Sequence, residues 1–215
     1  MRVLAFASQK GGVGKTTLSG HLACEAERQG AGPVVLLDTD PQGSLSAWWN
    51  ARQAEAPAIA SCDLASLPAQ LKELEAAGIA LAMVDTPPAI TASIAAVVRC
   101  ADLVVIPCRA SPHDLRAVGA TADLVEREGR PMIFVVNGAT PRTRISGEAA
   151  VALSQHGTVA PVTVHQRVDF AVSMIDGRTA GEIDATGNSA KEIAELWIYI
   201  NKRLRKDAKE HVSHG

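Results

Sequence analysis

The chain has 215 residues, of which 47% are hydrophobic and 20% are charged, and its formal net charge at pH 7 is −2. This length is sufficient for one sizeable α/β core, and the composition is that of an ordinary globular protein, which argues against a disordered or membrane-spanning chain. The small net charge gives no overall attraction to nucleic acid, so any such binding requires a local basic patch.

Short apolar runs alternate with amphipathic stretches along the chain. The runs predict strands at residues 3–7, 34–38, 80–85, 103–107, 132–137 and 159–164. The stretches predict helices at residues 17–28, 44–53, 65–76, 90–100, 114–128 and 146–155, followed by a last helix at about 188–209. Uninterrupted apolar runs are typical of strands buried on both faces of a parallel sheet. We therefore expect a single domain, residues 1–215, with a doubly wound, mostly parallel sheet and helices on both faces.

A glycine-rich loop follows the first predicted strand and precedes the first predicted helix. It reads Lys10-Gly11-Gly12-Val13-Gly14-Lys15-Thr16-Thr17, and we call it the phosphate loop. Backbone N–H groups in such a loop bind phosphate, and the start of the helix adds partial positive charge. This pattern predicts that Lys15 contacts the β- and γ-phosphates and that Thr16 holds Mg²⁺. The plain pattern has glycine at the position of Gln9, and Lys10 is an additional lysine.

Acidic residues end the second and third predicted strands. Asp38 and Asp40 are two positions apart, so their side chains point the same way at a strand end. We assign Asp40 to the attacking water and Asp38 to the network of Mg²⁺ and loop contacts. A helix cap formed by Asp40 before Pro41 is the alternative interpretation. Asp85 ends an apolar run and fits the acid that contacts Mg²⁺ directly or through water.

These motifs resemble those of the ParA/MinD family of P-loop ATPases with a deviant Walker A motif, and they are similar to the small ParA partition ATPases. The resemblance is carried by residues 9–17, 38–42, 84–88 and 111–115. It implies the P-loop NTPase fold, ATP and Mg²⁺ as cofactors, nucleotide contacts from Gly11 to Thr17, and catalytic roles for Lys10, Lys15 and Asp40. It also implies an ATP-dependent homodimer in which Lys10 contacts the nucleotide of the other subunit.

The resemblance also bears on a residue that ends the fifth predicted strand. Asn137 falls where such proteins often contact the base of the nucleotide. A turn residue before Gly138 is an equally good interpretation, because asparagine favours such positions.

The same resemblance implies nonspecific DNA as a partner. Residues 165–169 are similar to the segment that bears a DNA-binding arginine in small ParA proteins, which makes Arg167 the candidate. The last predicted helix adds a basic group that either extends this patch or is only a solvated helix end: Lys202, Arg203, Arg205, Lys206 and Lys209. We expect a cytoplasmic, nucleoid-associated protein that positions a plasmid, chromosome or protein cargo, with hydrolysis stimulated by a ParB-like or other adaptor.

Two alternative functions remain within the same superfamily. An apolar stripe on the last predicted helix is compatible with a MinD-like membrane-surface helix, although such a stripe usually packs on a core. The other alternative is a metabolic ligase or amidotransferase of the dethiobiotin-synthetase-like class. No apolar run approaches the length of a membrane span, and the first residues predict a core strand rather than a signal sequence. The four cysteines are far apart, which disfavours a zinc or cluster site.

Overall fold

A computed structural model describes residues 1–88 and 92–212 of the protein. Within these residues the strands form one seven-stranded sheet with the order β3-β2-β4-β1-β5-β6-β7, and every neighbouring pair is parallel. The strands are β1 Arg2–Phe6, β2 Val34–Asp38, β3 Ala58–Ser61, β4 Leu81–Asp85, β5 Leu103–Cys108, β6 Met132–Ala139 and β7 Val164–His165. The predicted fold class, a doubly wound parallel sheet, is confirmed.

Helices cover both faces of the sheet. They are α1 Lys15–Arg28, α2 Ser44–Asn50, α3 Leu67–Ala76, α4 Ala92–Cys100, α5 Pro112–Arg127, α6 Ile145–Ser154, α7 Val168–Asp176, α8 Ala180–Ile183 and α9 Asn188–Val212. Successive strand residues enter different layers of the core, because side chains alternate across a sheet. In β1, Ala5 packs on the layer formed with α4 and α5, while Leu4 and Phe6 pack on the layer formed with α1 and α9.

The apolar stripe of α9 belongs to this core. Its five members are at most 4% exposed: Ile193, Leu196, Trp197, Ile200 and Leu204. They pack in the same layer as Leu18 and Leu22 of α1. No helix of the described residues is long and apolar enough to cross a membrane.

Most of the predicted elements lie within three residues of the observed bounds. The helix predicted at 90–100 begins on residues outside the described part of the chain and is observed from Ala92. The strand predicted at 159–164 is wrong in extent: Val159 forms an isolated bridge with Phe134, and β7 is only Val164–His165. Pro161, which has no N–H to donate, interrupts this segment.

Three elements were not predicted. β3 is a half-exposed edge strand of four residues, so it lacks the apolar run that identified the buried strands. The two short helices α7 and α8 follow β7 and connect it to α9. The carboxyl ends of the central strands coincide, since Asp38 and Phe6 are both register partners of Asp85.

Candidate functional site

The phosphate loop connects β1 to α1 at the carboxyl edge of the sheet. Gly14 is the N-cap of α1 and adopts the left-handed conformation, with φ of 94°. A Cβ atom at this position would lie 2.2 Å from Nδ2 of Asn137, so both the backbone angle and the contact require glycine. Asn137, from β6, donates a hydrogen bond of 2.6 Å to the carbonyl oxygen of Val13. The predicted base-contact residue is therefore also a direct support of the phosphate loop.

Lys15 lies inside the phosphate loop. Its side chain is buried, and Nζ donates a 3.2 Å hydrogen bond to the carbonyl oxygen of Lys10. Burial lowers the pKa of Lys15, and the negative charges of Asp85 and Asp40 oppose that change. The ammonium group is thus placed between the loop backbone and the two acidic strand ends.

Thr16 and Asp85 are in direct contact. Thr16 Oγ1 donates a 2.6 Å hydrogen bond to Oδ2 of Asp85, which is 1% exposed. Burial raises the pKa of Asp85 to about 7, and the hydrogen bond from Thr16 and the charge of Lys15 oppose this shift. Among the described residues, Oδ1 of Asp85 has no hydrogen-bond partner although it is buried.

This donor set fits Mg²⁺ bound together with a nucleotide. Within the described residues no group of three or more His, Cys, Asp or Glu side chains could hold a metal ion. Mg²⁺ rarely has a cage made only of protein, because it usually takes one or two side-chain oxygens together with substrate phosphates and water. The hydroxyl of Thr16 and the free oxygen of Asp85 supply such ligands.

Asp38 and Asp40 organise the turn between β2 and α2. Oδ2 of Asp38 accepts hydrogen bonds from the backbone N (2.8 Å) and Oγ (2.9 Å) of Ser46, and Oδ1 accepts one from the backbone N of Asp40 (3.1 Å). Asp40 in turn accepts a 3.0 Å bond from the backbone N of Gln42. The helix begins only at Ser44, so Asp40 is not its cap and that alternative is wrong. These contacts place Asp38 in the β2–α2 turn, and its contacts with the phosphate loop and with Mg²⁺ stay predictions.

Lys10 points to its own chain in this structure. Nζ lies 3.2 Å from Oδ1 of Asp114, in the first turn of α5. Ser111 is the N-cap of α5 and donates a 2.6 Å hydrogen bond from Oγ to the other oxygen of Asp114. Sequence reasoning included residues 111–115 in the family resemblance but missed Asp114 as the partner of Lys10.

A cavity of about 240 Å³ adjoins the phosphate loop. Its lining includes Gly14, Thr17, Arg109, Asn137, Arg167 and Phe170. It lies beside the bulge of β6 between Asn137 and Ala139. Its position next to the N-terminus of α1 is suitable for the base and sugar of a nucleotide whose phosphates occupy the loop.

The candidate DNA-binding residues do not form one patch. Arg167, the N-cap of α7, is 24% exposed and forms an ion pair with Glu192 of α9. Glu192 also accepts hydrogen bonds from the ring and the backbone N of His165.

The basic group of α9 lies farther along that helix. Asn201 accepts a 2.8 Å hydrogen bond from Arg2, the first residue of β1, so Lys202, Arg203 and Arg205 lie near the amino edge of the sheet, opposite the phosphate loop. Eleven positions separate Glu192 from Arg203, or about 16 Å along a helix axis. The side chains of Lys206 and Lys209 lie outside the described ones.

Comparison with known proteins agrees with this geometry. Residues 4–209 match the family model of the CobQ/CobB/MinD/ParA nucleotide binding domain. The chain is 32% identical to protein ParA of Rhizobium radiobacter, with 96% of this chain and 97% of that protein covered. It is 29% identical to the maintenance of carboxysome distribution protein A of Halothiobacillus neapolitanus, with 88% and 91% covered.

Solved structures show the same fold. Apo McdA of Cyanothece has a TM-score of 0.76 at 18% identity, over 95% of this chain and 99% of that chain. The septum site-determining protein MinD of Pyrococcus horikoshii, solved with Mg-ADP, has a TM-score of 0.78 at 15% identity, over 97% and 99%.

Proposed function

The chain belongs to the CobQ/CobB/MinD/ParA family of nucleotide-binding domains, and on this basis we propose that it is a Mg²⁺-dependent, ParA-like ATPase. In this proposal the protein forms a dimer when it binds ATP, and the dimer binds DNA without sequence preference. It positions a cargo until a partner protein stimulates hydrolysis. The observation that carries the proposal is the contact of Thr16 with Asp85 beside the buried ammonium group of Lys15.

Each residue of the site has a distinct role in the proposed reaction. The loop backbone and Lys15 bind the phosphates, and Thr16 and Asp85 hold the metal. When bound, Mg²⁺ neutralises charge on the β- and γ-phosphate oxygens. Asp40 holds the attacking water in line with the γ-phosphate, and it lies close enough for its charge to oppose the lowering of the Lys15 pKa by burial.

Dimerisation explains the additional lysine. In the proposed dimer, Lys10 leaves Asp114 and stabilises charge on the nucleotide of the partner subunit, as a residue supplied in trans does in other phosphoryl-transfer enzymes. The ATP-bound dimer then presents two copies of each basic residue, Arg167 included. Two weak sets of phosphate contacts on one dimer give a much stronger, salt-sensitive attachment to DNA.

The relatives support the proposed cargo class. The chain is 31% identical to the chromosome-partitioning ATPase Soj of Thermus thermophilus, over 95% of this chain and 83% of that protein. Together with the carboxysome distribution proteins, this supports a plasmid, a chromosomal region or a protein assembly as cargo. The adaptor is then ParB-like or a functional equivalent, and the protein is expected on the nucleoid in the cytoplasm.

The test is binding to random-sequence duplex DNA without nucleotide, with ADP and with ATP, at two salt concentrations. The proteins compared are the wild type, Asp40→Ala and, as a control for charge, the exposed Asp123→Ala. We expect salt-sensitive binding only with ATP, and longer-lived binding for Asp40→Ala because it hydrolyses the nucleotide much more slowly. An absence of DNA binding in every state would reject the nucleoid proposal. Anionic vesicles and metabolite-dependent ATP hydrolysis would then test the MinD-like and ligase-like alternatives.

A further inference from the structure

The turn that carries Asp40 is joined to the first half of α2. Both Asp38 contacts with Ser46 cross from the strand end to the helix, and the backbone N of Gly43 donates a 2.9 Å hydrogen bond to the carbonyl oxygen of Asp40. The helix has only seven residues. The position of Asp40 therefore follows the position of α2.

The far end of α2 is held by Arg52. This side chain is 3% exposed, and its guanidinium donates hydrogen bonds of 3.0 and 2.7 Å to the two carboxylate oxygens of Glu182 in α8. It also donates to the carbonyl oxygens of Gly177 (2.6 Å) and Ala56 (3.0 Å). The planar guanidinium group has several N–H donors, so it fixes both the distance and the orientation of its partners, which a single point charge does not.

Trp48 adds to this attachment. Its indole ring lies under the Arg52 guanidinium, 5.1 Å from the ring centroid, and its N–H donates a 3.1 Å bond to the carbonyl oxygen of Arg178. The space around the ring is closed. A Cβ atom on Gly20 of α1 would lie 3.0 Å from the Trp48 ring, and one on Gly177 would lie 2.3 Å from the backbone N of Arg52.

The residues that hold α2 are themselves fixed to the phosphate-loop helix. Nε2 of the buried His21 accepts a 3.0 Å hydrogen bond from the backbone N of Ala180, and its Nδ1 donates a 2.8 Å bond to the carbonyl oxygen of Thr17. Thr17 is the last residue of the phosphate loop. Residues 173–182 thus contact both α1, which follows the phosphate loop, and α2, which is joined to the turn that carries Asp40.

We propose that Arg52 is a positioning residue for ATP hydrolysis, which acts by holding α2 so that Asp40 keeps its place opposite the phosphate loop. The proposal rests on the proposed ATPase function and adds to it a residue remote from the nucleotide. Arg52 touches neither the phosphate loop nor Asp40 in the described contacts, so its effect on the reaction is transmitted through the helix.

A double-mutant cycle tests this role. Single-turnover ATP hydrolysis and the Kd for ATP are measured for the wild type, Arg52→Ala, Asp40→Ala and the double variant. For Arg52→Ala we expect hydrolysis to be slower by about 10- to 100-fold, since a displacement of about 1 Å has effects of this size. The Kd for ATP should change by less than about twofold, because a residue that acts only at the transition state leaves ground-state binding intact. In the Asp40→Ala background, Arg52→Ala should give no further loss.

Two more variants complete the experiment. Arg52→Lys keeps a charge beside Glu182 but loses the fork, so it should be slower than the wild type and remains informative if Arg52→Ala does not fold. Arg99→Ala breaks an exposed arginine–glutamate pair with Glu128 and should hydrolyse ATP normally. Losses that multiply in the double variant, a parallel loss of ATP affinity, or normal hydrolysis by both Arg52 variants would overturn the proposal. A wild-type protein without ATPase activity would instead reject the proposed function itself.

Discussion

The ammonium group of Lys10 lies 3.2 Å from the carboxylate of Asp114 in the same chain. The Lys10 side chain is 42% exposed, and exposed ion pairs of this kind are worth about 1 kcal/mol at most. A role for Lys10 across a dimer interface requires this pair to open. The pair is therefore a weak competitor of dimerisation and not a barrier to it.

Removing the competitor should favour the dimer. We expect Asp114→Asn to lower the dimer dissociation constant in ATP by up to about 30-fold, because the dimer opens two such pairs and each is worth about 1 kcal/mol at most. Sedimentation equilibrium in ATP measures this shift. Both proteins carry Asp40→Ala, so that ATP is hydrolysed slowly during the measurement. Weaker dimerisation of Asp114→Asn would instead mean that Asp114 itself contributes to the dimer.

The two lysines of the phosphate loop should have separable defects. Lys15→Ala removes a buried ammonium group inside the loop, so we expect it to lose nucleotide binding. Lys10→Ala removes a side chain that points away from the phosphate-binding backbone toward Asp114, so it should bind nucleotide and fail to dimerise. Titration with a fluorescent ATP analogue and sedimentation distinguish these outcomes, and a Lys10→Ala protein that dimerises normally would disprove the role in trans.

Gly14 and Asn137 form a second testable pair. Gly14→Ala introduces a Cβ atom at a positive φ and within 2.2 Å of the Asn137 amide, so the loop must distort and nucleotide binding should be lost. Asn137→Ala removes the 2.6 Å bond to Val13, and we expect nucleotide affinity to fall by about tenfold, as for a loop hydrogen bond worth about 1.4 kcal/mol. Gly30→Ala, at a positive φ in a turn remote from the loop, is the control for backbone strain.

The central part of the site was accessible from sequence because parallel strands end at one edge. Lys15, Thr16 and Asp85 each follow a short apolar run, and the topology of such a sheet brings those ends together. This prediction required no knowledge of individual side-chain contacts.

The charged contacts between remote segments could not be predicted from the sequence. Arg52 and Glu182 are 130 positions apart, and neither lies in a motif or a periodic pattern that would pair them. Arg167 and Glu192 are equally unpaired by any pattern, and the motifs that contain Lys10 and Asp114 do not indicate that these two residues meet. A charged residue in a sequence is as compatible with a solvated surface position as with an ion pair to a remote residue. Only the fold therefore identifies its partner.

The pairing of Arg167 leads to a prediction on DNA binding. Glu192 neutralises part of the charge that Arg167 would offer to a phosphate. We expect Glu192→Gln to bind random-sequence DNA several-fold more tightly in ATP. The slope of log affinity against log salt concentration should steepen by the amount that about one phosphate contact contributes. Glu195→Gln, on the exposed side of the same helix, should have a smaller effect. Weaker DNA binding by Glu192→Gln would show that the ion pair holds Arg167 in its binding orientation.

His21 makes the stability of the folded protein depend on pH. Burial lowers the pKa of His21 to about 4 from its ordinary 6.5, despite the hydrogen bond to Thr17 and the charge of Glu182. Between these two values the unfolded chain binds a proton that the folded chain does not, so the free energy of unfolding decreases as pH falls. The decrease is about 1.4 kcal/mol per pH unit. Urea denaturation of the nucleotide-free wild type and of His21→Asn from pH 7 to pH 4 measures the difference in slope. The free energy of unfolding of His21→Asn should therefore fall less steeply with decreasing pH than that of the wild type. Equal slopes for the two proteins would contradict the assignment of a neutral His21 between Thr17 and Ala180.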